Sequence, residues 1–109
     1  MTNKEIAIRL AIEFGMEYPE YVYTIGQWNP AAFEGHAMEL LEKMRERGYH
    51  IVIATCDGCM GQTGTWSVDI THDALDEVAM VHDDKFPMAA CLATMKMLDM
   101  MKAARAKSV

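Results

Sequence analysis

The chain has 109 residues, 51% of them hydrophobic and 24% charged. That length is enough for one domain, residues 1–109, with its own core, and too short for two. The composition is that of an ordinary globular protein and excludes the disordered class. Sixteen acidic against ten basic side chains leave a net charge of −6, with the acids concentrated between Gly48 and Lys85 and the surplus of cations after Phe86. Lys102, Arg105 and Lys107 suit the C-terminal end of a solvated helix, where they complement the dipole, so no nucleic-acid partner is expected.

Lys4, Glu5, Arg9 and Glu13 interrupt the apolar run that a signal peptide needs, and no stretch is long and apolar enough to span a membrane. The cysteines, Cys56, Cys59 and Cys91, are odd in number and do not suggest a secreted disulfide framework. These features together predict a protein of the reducing cytoplasm.

Ile6, Leu10 and Phe14, with Ala7 and Ala11, recur at helical spacing behind Thr2 and Asn3, and predict a first helix over Asn3–Phe14 closed by Gly15. In residues 16–29 the alternation of Tyr21, Tyr23 and Ile25 suits a short strand, but Pro19 and Gly26 bound it so closely that an irregular extended segment fits equally well. Tyr18, Tyr21, Tyr23 and Trp28 crowd this part of the chain. Tyrosine and tryptophan bury large area while keeping a polar handle, so the cluster marks either a protein-binding surface or the edge of a small core.

Asn29 as cap and Pro30 in the first helical position predict a second helix over Pro30–Arg47, its inner face made by Phe33, Ala37, Leu40, Leu41 and Met44. Gly48 ends it. The β-branched run His50–Cys56, the alternating run GTWSVDITH and the run Glu77–Asp83 then predict three strands in an antiparallel meander. The polar outer side of the second run argues for helices on one sheet face, whereas Val52 and Ala54 in the first argue for some cover on both. Pro87 opens a last helix reaching about Ala104, with Met88, Cys91, Leu92, Met95 and Leu98 as its stripe and a frayed tail over residues 105–109. The fold class is therefore α+β: a three-stranded antiparallel sheet packed with two or three helices, in the order α-α-β-β-β-α.

The chemical motifs are incomplete. Cys56 and Cys59 have the C-x2-C spacing of a metal knuckle, which supplies half of a tetrahedral zinc site. His50, His72, His82 and Cys91 are available for the other half, and of these His72 and His82 are the candidates. Because His72 falls at the far end of the second strand, the four converge more easily across a dimer than within one chain. A redox dithiol would need a helix N-terminus after the pair, and none follows. His36 and Glu39 miss the deaminase H-x-E spacing, and Thr55 stands where that motif has proline. Neither a serine triad nor a glycine-rich phosphate loop can be assembled. The α-β-β-β-α order matches double-stranded RNA-binding domains, but the last helix here begins beside Asp83 and Asp84 and lacks the basic grip on phosphates.

The run NPAAFEGHAMELLEKMRERGYHIVIA, followed by KFPMAACLATMKML, resembles the phage ABA sandwich family of small domains encoded by phages and prophages. The resemblance covers residues 28–99. It rests on the helix ending at residues 42–49 in EKMRERGY and on the proline and apolar pair opening the last helix, Pro87 to Ala90. It implies a phage or prophage origin and residence in the host cytoplasm, and it carries no catalytic residues with it. The expectation is a non-enzymatic accessory protein that binds another protein or a second copy of itself as a homodimer. Tyr18, Tyr21, Tyr23 and Trp28 form its contact surface in this reading, with zinc held by the Cys56 and Cys59 loop as the alternative.

Overall fold

Thr2 opens the first helix with a reciprocal cap: its hydroxyl accepts the Glu5 N–H, and the Glu5 carboxylate accepts the Thr2 N–H, each at 3.1 Å. Those two hydrogen bonds hold the exposed Glu5 carboxyl below its ordinary pKa. The helix, α1, runs Asn3–Glu13 and buries Ile6, Ala7, Leu10 and Ala11. A computed structural model describes residues 1–56 and 65–107 of the chain, with only the backbone described at Cys56.

Residues 16–29 are neither strand nor extended coil but contain a short helix, α2, over Pro19–Thr24. Pro19 sits in the first turn, where a missing N–H costs nothing. Gly26, at φ 77°, ends the turn, and the Gln27 N–H returns to the Val22 carbonyl at 2.9 Å. The Tyr21–Tyr23–Ile25 alternation misleads because a strand needs a sheet edge for its backbone groups, and this segment lies against α1 instead. Asn29 and Pro30 begin a single turn, with the Ala32 and Phe33 N–H groups on the Asn29 carbonyl. At Phe33 the backbone becomes extended, so the next helix, α3, begins four residues later than the proline suggests and spans Glu34–Glu46. Phe33 is thereby exposed rather than part of the inner face, which keeps Ala37, Leu40, Leu41 and Met44.

Gly48, at φ 94°, turns the chain into β1, His50–Cys56. β2, Thr65–Thr71, and β3, Ala79–Asp83, complete an antiparallel meander in the order β1-β2-β3. The register sets Ile51 opposite Ile70, Ile53 opposite Val68 and Val68 opposite Val81, giving one apolar face. On that face lies α4, Phe86–Lys107, packed across β2 and β3, with α3 beside it reaching β1. Burial around α4 is wider than one stripe. Ala90, Thr94, Met97 and Met101 are interior along with Cys91, Met95 and Leu98, while Met88 and Leu92 are half-buried, as befits a helix enclosed on several sides. It continues helical through Lys107, past the tail expected to fray. On the opposite sheet face Val52 is 61% and Met80 49% exposed, so the described helices cover one face only.

Candidate functional site

The aromatic segment divides at α2. Trp28 is interior, its indole N–H donating to the Ala7 carbonyl at 3.0 Å and its ring stacked over His36 at 6.2 Å. A buried indole with its one donor satisfied belongs to the core, so Trp28 is withdrawn from the contact surface expected of it. Tyr23 is half-buried against the same core. Tyr18 and Tyr21 point outward, 74% and 62% exposed. Tyr18 stands in the left-handed region at φ 54°, held there by the Val22 N–H bonded to its carbonyl, which brings its ring beside the start of α2.

The two tyrosines meet a second apolar strip that the sequence reading missed. Ile8 and Ile12 lie four apart on the side of α1 opposite Ile6 and Leu10, and Ile12 is 64% exposed. Together with Pro19 and the tyrosines they line a shallow depression of about 440 Å³. The signal for it was present as an i, i+4 isoleucine pair outside the core stripe. A Lys4–Glu20 ion pair at 3.8 Å joins α1 to α2 at the rim. At more than half exposure on both partners its contribution is at most about 1 kcal/mol.

Of the proposed zinc ligands, His72 lies at the opposite end of the sheet from Cys56. The register pairs His50 with Thr71 at one end of the sheet and Cys56 with Thr65 at the other. His72 follows Thr71 directly, which puts it roughly 20 Å along the strands from Cys56. Its Nδ1 accepts the Ala74 N–H at 3.0 Å, and its ring lies 4.8 Å from that of Tyr49. His82 pairs with Ser67 on β2, nearer the Cys56 end. Cys59 lies outside the described residues, and among those that are described no cluster of three His, Cys, Asp or Glu side chains is gathered for a metal. The third cysteine, Cys91, is fully buried in α4, and burial pushes its thiol pKa up to about 12.

A cavity of about 760 Å³ opens where α4 begins, between Trp66, Phe86 and the acidic pair Asp83 and Asp84. The Asp83 carboxylate is occupied in accepting the Lys85 N–H at 2.9 Å, so it serves the turn into α4. Among the described residues no helix is long and apolar enough to cross a membrane. No protein-family model, no curated protein and no solved structure matches the chain.

Proposed function

We propose that this chain is a non-enzymatic accessory protein whose working surface is the apolar face shared by α1 and α2, where it docks another protein. The observation that carries the reading is the exposure of Tyr18, Tyr21 and Ile12 on ordered helices, side by side around one depression. Tyrosine is favoured at the centres of protein interfaces because two χ angles order a large amphipathic area at small entropic cost. Ile8 and Ile12 add an apolar floor, and the Lys4–Glu20 ion pair supplies a charged rim. The resemblance of residues 28–99 to the phage ABA sandwich family supports a phage or prophage origin, with the partner a host or phage protein.

The test is a double variant, Ile12→Ser with Tyr21→Ser, compared with the parent in affinity capture from host lysate and in molar mass by sedimentation equilibrium. Far-UV circular dichroism is expected to be unchanged and the captured partner lost. A change of molar mass alone would move the reading from a foreign partner to self-association. Identical capture and identical mass in parent and variant would sink it.

A further inference from the structure

At the end of the sheet away from Cys56, a cavity of about 410 Å³ opens between α4 and the strand ends. Its floor is apolar, formed by Leu98 and Met101. Its rim is cationic: Arg47 from the end of α3, and Lys102 and Arg105 from the last turns of α4, surround the single carboxylate of Glu13. Glu13 binds Arg47 at 3.1 Å and Lys102 at 3.7 Å, whereas Arg105 makes no ion pair among the described residues. Three cations against one acid is a marked local reversal in a chain of net charge −6.

Arg47 is fixed before any ligand arrives. Its Nη2 donates to the Glu13 backbone carbonyl at 2.8 Å, and its guanidinium lies 4.2 Å over the Phe14 ring. Two further donors line the same space. Because His72 Nδ1 accepts the Ala74 N–H, the neutral ring carries its proton on Nε2. Tyr49, a largely buried residue, also lines the cavity, and its hydroxyl is a second donor.

We infer that this cavity binds a small organic phosphate, its phosphoryl group held by Arg47, Lys102 and Arg105 with the donors of His72 and Tyr49, and its body resting on Leu98 and Met101. A fixed planar guanidinium beside a second arginine and a lysine matches the several oxygens of a phosphate monoester. The volume is that of a small-molecule site. This assignment is independent of the docking face on α1 and α2, since the two depressions share no lining residue.

The experiment is a ¹H–¹⁵N NMR titration of the full chain with phenyl phosphate, inorganic phosphate, phenol and a short single-stranded oligonucleotide. Phenyl phosphate is expected to give saturable shifts around Tyr49, His72 and Arg105, to bind more tightly than inorganic phosphate, and to leave phenol without effect. Arg105 is exposed, so Arg105→Ala retains the parent spectrum and weakens binding about tenfold, the loss of one charge-assisted hydrogen bond. Lys102→Gln does the same to a smaller degree. Shifts that fail to saturate at about 10 mM, weaker than any useful affinity for a metabolite, overturn the assignment. So does equal affinity in Arg105→Ala, or an oligonucleotide that outcompetes phenyl phosphate.

Discussion

The two sides of α1 carry similar side chains in opposite circumstances. Inward, Ile6 and Leu10 are sealed, and Trp28 reaches in to bond the Ala7 carbonyl. Outward, Ile8 and Ile12 sit with Tyr18 and Tyr21 around an open depression. The inner set is explained by folding alone, because each buried apolar group recovers transfer free energy and the indole recovers its hydrogen bond. The outer set has no such account. Burial, not residue type, separates what the fold requires from what is left for a partner.

The contrast is broken most severely from the inside. Trp28→Ala removes a large buried ring and the hydrogen bond that its indole N–H gives the Ala7 carbonyl, and is expected to destabilise the chain by about 3–5 kcal/mol in urea unfolding. A loss below about 1 kcal/mol would mean that the segment around Trp28 is not packed as described.

The buried thiol of Cys91 gives a pH-dependent probe of the same interior. Its pKa of about 12 in the fold lies above the ordinary value of 9.0, so the neutral form is favoured by folding. Its contribution is fully present below pH 9 and is lost as pH rises from 9 towards 12, because the unfolded thiol ionises first. Urea midpoints should therefore fall less steeply across that window in Cys91→Ala than in the parent. Parallel slopes would contradict the burial.

Smaller still is the cap. Thr2→Ala removes the hydroxyl that accepts the Glu5 N–H, keeps the backbone N–H that donates to the Glu5 carboxylate, and should cost about 1 kcal/mol. The Glu5 carboxyl, which loses the Thr2 hydroxyl but keeps the backbone N–H, should then titrate somewhat higher than in the parent, which NMR can follow. At the bottom of the scale, Tyr18→Ser and Tyr21→Ser should shift stability by no more than about 0.5 kcal/mol, since neither side chain is interior. A large loss at either position would return that tyrosine to the core and remove it from the docking face.

The legible parts of the sequence were those where pattern and punctuation agree. The alternation of Trp66, Val68 and Ile70 placed β2 on its inner face, and Gly48 marked a turn that only a residue tolerant of φ 94° makes easily. Between Met16 and Phe33 the cues conflict. Pro19 favours a helix start, the tyrosine alternation favours a strand, and Pro30 opens a turn that does not continue into α3. Which one prevails depends on the neighbouring α1, which local pattern cannot report. The candidate surfaces were harder for the same reason: Ile8 and Ile12 are conspicuous only once Ile6 and Leu10 are known to face inward. Arg47, His72 and Arg105 are remote in sequence and meet only through the packing of α4 against the strand ends.

The pairing of chain neighbours throughout the sheet has a kinetic consequence. β1 meets β2 and β2 meets β3 across short sequence separations, and α3 feeds directly into β1, so these contacts form at small loop-closure cost. The helices reach further: α3 lies against α4, and α1 is tied to α4 by ion pairs. Arg9 reaches Asp99, ninety positions away, at 2.6 Å, and Glu13 reaches Lys102. Those two ion pairs can close only once α4 is in place, whereas Trp28 can reach the Ala7 carbonyl across twenty-one positions without it.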